Sequence, residues 1–477
     1  MVDFLRKGGF KKSLAKEAVD FTGCLEDDKR IALCDISNSQ AHSIMLFEQK
    51  ILSKKELSDI LTALEKARGE WLEQTFILDI ELEDIHPNVE KYVSSQSSSG
   101  EKMHSGRSRN DQVATDIRMY ARDEILELTS LSLDLASKLV YLAKNNQSTV
   151  FPGFTHTQPA QATTFGHYLI AYAHQLLRDV ERLELSFRQT NQSPLGACAL
   201  AGTTFPINRQ RTAELLGFDS VLPSPLDSVS SRDYSTQTQF AAASLMTTLA
   251  RIAEDVILFT TLGLIEVDDS YAYTSSAMPQ KRDPYVAETI RAKCARTSAL
   301  LSASLGILKG MPTGYNKDYQ DLKPLLWESF DETKASLKAA IGLVGAVSVK
   351  KTAALEFCRQ KFVCAIDLAE YLALAKQVPF RKAHTIVGAL AKSGAITAQK
   401  VVSETKSVAG LKISFSQNEL NSCLDPQTSV KKKGLVSSKE YLDLEKTISF
   451  SRALLSQRRK KIVDANKNLT HLVAKLS

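Results

Sequence analysis

The chain has 477 residues, 43% hydrophobic and 24% charged, with a formal net charge of +6. That is ordinary globular material, long enough for two or three domains, and it excludes collagen-like or low-complexity chains. A basic excess this small does not point to nucleic acid and suits an anionic small substrate.

The opening residues, MVDFLRKGGFKKSLAKEAVD, contain no apolar h-region, so no signal peptide is expected. No run of about 18 apolar residues is free of charge, so no transmembrane helix is expected either. Seven scattered cysteines (Cys24, Cys34, Cys198, Cys294, Cys358, Cys364 and Cys423) include no Cys-x-x-Cys pair. Reduced thiols and a cytoplasmic location follow as expectations, not a disulfide framework or a thiolate zinc site.

Residues 1–107 read as shorter helical pieces of polar composition, expected to form an N-terminal helical domain. Within them EDIHPNVE, Glu83 to Glu90, gathers Asp84, His86 and Glu90. Those are metal-ligand types, but no second cluster with ligand spacing accompanies them, so a structural or substrate role is expected. SSQSSSG, Ser94 to Gly100, is a short loop.

MHSGRSRNDQ, Met103 to Gln112, directly precedes a helical pattern. Arg107 and Arg109 offer planar forks that match carboxylates, and a helix N-terminus adds free N–H groups. Asn110 or Asp111 can also act as a plain helix cap. Anion binding explains the crowding of polar side chains better than capping alone.

Residues 108–355 are dominated by five long segments with helical spacing. The first places Ile125, Leu128, Leu131, Leu135, Leu139 and Leu142 at three- and four-residue steps. The others cover residues 163–189, 235–265, 285–308 and 328–347. At 1.5 Å per residue such helices reach roughly 30 to 45 Å, too long to bury themselves in a small domain. A long bundle is expected. Its frequent Ala and Ser permit close helix approach, and one five-helix layer would leave much apolar surface exposed, so bundles from several chains are expected to pack together. Residues 356–477 alternate charged helices with Gly-containing turns and read as a small C-terminal helical domain. Strand signal is weak throughout.

Two loops in the bundle segment carry chemistry-bearing residues. In GFTHTQPAQ, His156 is flanked by Thr155 and Thr157. It is either a general acid or base or a hydrogen-bonded structural histidine. In TSSAMPQKRDP, Thr274 to Pro284, two serines precede a Lys-Arg-Asp run. A serine becomes a base only where cations or N–H groups stabilise its anion, and Lys281 can supply that charge if the loop folds back. A connector without chemistry is the alternative. No P-loop, dinucleotide fingerprint or nucleophile elbow appears.

At these clusters the sequence resembles the argininosuccinate lyase branch of the fumarase/aspartase superfamily. The blocks that carry the resemblance are SGRSRNDQVATDIR, GFTHTQPAQATTFGHYL, SPLGACALAGTTFPINR, LDSVSSRD, SSAMPQK and KGMPTGYNKDYQDLKPLL. They run in family order from about residue 35 to about residue 325. The resemblance implies an all-α fold of three mostly helical domains and a homotetramer whose core holds twenty helices, five per chain. It also implies active sites built from three subunits, cleavage of argininosuccinate to arginine and fumarate, and neither metal nor organic cofactor.

Carried over by position, Ser275 is the expected base, Lys281 the stabiliser of the carbanion-like intermediate, and His156 or Thr155 the proton donor to the leaving group, with Glu288 as the charge partner of His156. Ser39, Asp84, His86, Arg109, Asn110, Tyr315, Gln320 and Lys323 fall at or near substrate-binding positions. The loop departs from the family at Thr274, usually Gly, and at Arg282-Asp283, usually Lys-Asn. That Asn is expected to meet a substrate carboxylate, and Arg282 is the expected neutraliser of Asp283. A sister lyase acting on adenylosuccinate or aspartate, and a catalytically silent structural tetramer, are the alternative functions.

Overall fold

The computed structural model describes residue 12 and residues 14–394, 396–435 and 437–477. The first eleven residues, part of the stretch without an h-region, lie outside the described residues. After two short helical pieces, Lys16–Thr22 and Leu25–Asp28, come three longer helices: α1 (Ala32–Glu48), α2 (Lys54–Leu72) and α3 (Ile85–Gln96). The five expected long helices follow as α4 (Arg109–Asn145), α5 (Phe165–Thr190), α6 (Asp233–Thr261), α7 (Tyr285–Leu308) and α8 (Leu322–Gly345).

The start of α4 shows why the helix begins there. The Ser108 hydroxyl accepts the Asn110 amide at 3.3 Å, and the Asp111 carboxylate accepts the Ser108 amide at 3.0 Å. This reciprocal box satisfies donors that the first turn would otherwise leave bare. Capping therefore falls to Ser108 and Asp111, which leaves the Arg109 and Asn110 side chains free for other partners.

Along α4 the expected stripe is real: Ile125, Leu128, Leu135 and Leu139 are fully buried, while Leu131 and Leu142 are half-buried. The helix also buries two arginines. Arg118 donates to the Gln189 carbonyl at 2.8 Å and stacks on Tyr234, while Arg122 donates to the Leu216 carbonyl at 2.8 Å and stacks on Phe218. Carbonyls and aromatic faces offset the cost of dehydrating these cations.

The main core joins α1 to α8. A separate core, with Leu368, Ile386, Leu390, Val401 and Leu420, belongs to the short helices α9 (Ala365–Ala375), α10 (Phe380–Lys392), α11 (Ala398–Ala409) and α12 (Gln417–Leu424). The last helix, α13 (Ser438–Leu476), crosses back: Leu444, Ile448, Leu455 and Ile462 enter the main core, and Leu469 and Val473 meet Leu57 and Leu61 of α2.

GFTHTQPAQ departs from the loop expected of it. Val150–Thr155 (β1) and Gln158–Thr164 (β2) form an antiparallel hairpin with an irregularity between Gly153 and Phe154. Prolines 152 and 159 hide the strand signal, because proline suits only an edge or a bulge.

The α7 face carrying Ala292, Ala295, Ala299, Ser302, Ala303 and Gly306 is exposed, as is Leu305. Small residues on an uncovered helix face leave room for the close approach of another helix.

Candidate active site

Two groups of polar residues lie at opposite ends of the bundle. Helices α4, α6 and α8 run one way, and α5 and α7 run back. The starts of α4 and α8 therefore share one end, while the α6–α7 loop and the β1–β2 hairpin share the other. The 24 residues of α7 span ~36 Å.

At the α4 end, Arg109 Nη1 reaches Glu83 at 2.6 Å and Asp84 at 2.8 Å. Lys317 Nζ meets Glu83 at 2.6 Å. Lys323 is buried against Asp28; burial alone would lower the lysine pKa, but Asp28, Cys24 and Asp84 together raise it. Tyr315 accepts the Gln320 amide at 2.6 Å, and burial pushes its hydroxyl up to about 12. Asn110 donates to the Ala199 carbonyl at 3.1 Å. Arg109, Asn110, Tyr315 and Lys317 keep partial exposure, so this end offers alternating cations and carboxylates to a zwitterionic or polyanionic ligand.

Beneath it lies a closed set. His86 Nδ1 is 2.9 Å from Asp35 and 3.6 Å from Asp116. Burial alone would lower the histidine, but Asp35, Asp84 and Asp116 overcome it and hold it at about 9. Asp116 is pushed well up by burial and by Asp35, so His86 and Asp35 carry the charges. Ser39 is fully buried and its hydroxyl accepts Arg107 Nη1 at 3.1 Å; it faces no open space. Of the expected neighbours of His86, Asp84 accepts the His86 main-chain amide at 3.1 Å and turns its other oxygen to Arg109, while Glu90 turns away to His104 at 3.3 Å. Two other sets of ligand-type groups do converge, Cys24–Asp28–Asp84 and Asp35–His86–Asp116. Lys323, Arg109 and the His86 ring already neutralise their carboxylates, which makes either set a poor fit for a metal ion.

At the other end, His156 and Thr157 form the hairpin tip with φ of 54° and 58°, and Thr155, His156 and Thr157 are exposed. A two-residue hairpin turn of this kind requires positive φ at both central residues, which is unfavourable for a β-branched threonine. The hairpin is fixed beneath the tip by Phe151 and Phe154 against Phe259 of α6.

The α6–α7 loop is closed at its neck. Tyr273 and Asp283 exchange main-chain hydrogen bonds of 3.0 and 2.7 Å, and the Tyr273 and Tyr285 rings stack. Inside the loop the Ser275 hydroxyl oxygen accepts two amides, from Ala277 and Met278, each at 3.2 Å. Lys281 Nζ lies 2.8 Å from the Asp283 carboxylate, which raises the lysine pKa. Arg282 instead binds Asp269, with Glu266 at 3.6 Å. The neutraliser of Asp283 is thus Lys281 and not Arg282, because the neck turns the Arg282 side chain toward the acidic segment before the loop. Glu288 is exposed in the first turn of α7.

Within one chain, then, Ser275, Lys281 and Glu288 share one loop and helix start, Thr155 and His156 share a hairpin tip, and the substrate-type residues cluster at the far end. Reading by motif overlooked Cys24, Asp28, Asp35, Glu83, Asp116 and Lys317. Glu83, Asp116 and Lys317 stood within quoted stretches, and Asp28 ends the short acidic helix LEDD; for Asp35 no local pattern separates it from surface acids.

The family described as lyase matches residues 15–298, and the argininosuccinate lyase C-terminal family matches residues 362–431. The argininosuccinate lyase of Desulforamulus reducens is 42% identical over 80% of this chain and 83% of its own length. That of Methanothermobacter thermautotrophicus is 38% identical over 90% of this chain and 93% of its own. Among solved structures, EDDS lyase in complex with formate superposes with a TM-score of 0.88 at 26% identity, covering 100% of this chain and 98% of that one. A class II fumarase from Schistosoma mansoni shares the fold, with a TM-score of 0.72 at 14% identity over 84% of this chain and 91% of that one. With matches of this extent across both its bundle and its C-terminal segment, the chain belongs to the argininosuccinate lyase family.

Proposed function

We propose that the protein is an argininosuccinate lyase that splits argininosuccinate reversibly into arginine and fumarate, the last step of arginine biosynthesis. The observation that carries the chemistry is the pair of N–H donors on Ser275 Oγ, with Lys281 in the same loop. Donors already aimed at that oxygen stabilise it as an alkoxide, which is what a serine needs to act as a base.

The reaction balances as a β-elimination. Ser275 takes the proton from the carbon next to the substrate carboxylate. The electron pair left behind is stabilised by Lys281 and then forms the new C=C bond as the C–N bond breaks. The departing guanidino nitrogen takes a proton from His156 or Thr155, and Glu288 supports the histidine charge. Arg109, Asn110 and Tyr315 bind the substrate, with Asp84 orienting Arg109 and Gln320 orienting Tyr315, while Lys323, Ser39 and His86 shape that end from beneath.

One chain holds these groups ~36 Å apart along its bundle, too far for a single small substrate. We therefore assign a homotetramer with a twenty-helix core, in which the Ser275 loop of one copy meets the Arg109 end of a second and the hairpin tip of a third. The exposed small-residue face of α7 supports that packing. Seven free cysteines support a cytoplasmic enzyme; no described helix is long and apolar enough to cross a membrane. The test is fumarate release across argininosuccinate, adenylosuccinate and aspartate. Release from argininosuccinate supports the reading, and release from adenylosuccinate alone overturns it.

A further inference from the structure

The α6–α7 loop carries two adjacent cations that the structure sends in opposite directions. Arg282 leaves the loop to bind Asp269 and Glu266. Lys281 turns inward to the Asp283 carboxylate at 2.8 Å, with Glu288 adding negative charge nearby.

The two members of the inner pair differ in freedom. Asp283 is fixed: its backbone exchanges two hydrogen bonds with Tyr273, its side chain is 8% exposed, and the stacked Tyr273 and Tyr285 rings close the neck around it. The Lys281 side chain is 51% exposed, and its ammonium has no other ion-pair partner among the described residues. A carboxylate is also the group that the reaction must present to Lys281.

We propose that Asp283 sets the affinity of this loop for its substrate by occupying Lys281 as a built-in carboxylate, which the substrate's own carboxylate displaces on binding. This rests on the assignment of Lys281 as the substrate-facing cation. A half-exposed ion pair is weak, so the exchange is accessible, and it sets affinity without blocking turnover. Asp283 acts through Lys281 and is a positioning residue, not a catalytic one.

The test is fumarate binding to the full-length protein by calorimetry, which needs no turnover, together with KM and kcat for argininosuccinate. Asp283→Asn keeps the backbone pairing and removes the competing charge. It should tighten fumarate about twofold to fivefold and lower KM by the same factor, with kcat changed less than KM. Asp269→Asn removes an equal charge from Arg282 and should leave fumarate affinity unchanged. Unchanged or weaker fumarate binding in Asp283→Asn, equal tightening in both variants, or no fumarate binding by any of the proteins would each overturn the proposal. Fumarate binding that tightens in Asp283→Asn without any turnover of argininosuccinate upholds it and sinks only the assigned reaction.

Discussion

His86 Nδ1 lies 2.9 Å from Asp35 Oδ1, with both side chains sealed from solvent between α1, α3 and α4. The relationship makes the fold sensitive to alkali. Free histidine titrates near ~6.5, while His86 in the folded chain is held at about 9. A group raised on folding contributes stability that is fully present below its unfolded value and is lost as pH rises through its folded value. Melting should therefore weaken between pH ~6.5 and ~9, by about 3 kcal/mol at most. Thermal melts across that range check this, and His86→Gln should flatten the dependence.

Ser275→Ala should abolish fumarate release while leaving melting and assembly as in the parent, since the side chain bonds only within its own loop. Lys281→Met should lower kcat by about 10²–10³, the scale of losing one electrostatic stabiliser. Steady-state kinetics beside sedimentation separates lost chemistry from lost structure.

Because Ser275 and Arg109 sit at opposite ends of one bundle, two inactive proteins should rescue each other. Ser275→Ala and Arg109→Ala, dissociated together and reassembled, should recover fumarate release through sites that draw both intact residues from different copies. Each variant reassembled alone should stay silent. Recovery of nothing in the mixture would point to sites contained within one chain.

Asp111 ties the start of α4 to the segment before α5's downstream neighbour by accepting the Ser108, Gly196 and Cys198 amides at 3.0, 2.9 and 2.8 Å. Burial pushes its carboxyl up to about 6 against those donors. Asp111→Ala strands three amides and should cost about 2–4 kcal/mol in denaturant unfolding. KM should rise as well, because Arg109 and Asn110 occupy the same helical turn.

Much of this architecture was legible in the sequence because the bundle is written in long, uninterrupted helical spacing. Ile125, Leu128, Leu135 and Leu139 recur at steps that only a helix satisfies, and they are buried as expected. The hairpin around His156 was not legible, since its strands carry prolines and too few apolar residues for an alternating pattern. The return of α13 to the bundle was hidden for another reason: its buried positions, from Leu444 to Val473, are widely spaced among charged residues. For the candidate site, motif blocks singled out Ser275, Lys281, His156 and Arg109. They could not show that Lys281 rather than Arg282 would meet Asp283, because the partner depends on which way the loop neck turns. Asp35 and Asp116 acquire their meaning only when two helices place them on one histidine.

The most direct measurement is fumarate appearance, followed by ultraviolet absorbance, when purified protein meets argininosuccinate, with Ser275→Ala alongside. Release by the parent protein and none by a folded, assembled Ser275→Ala is the expected result. Near-normal release by Ser275→Ala, or no release by the parent, would contradict the assignment of this loop as the catalytic one.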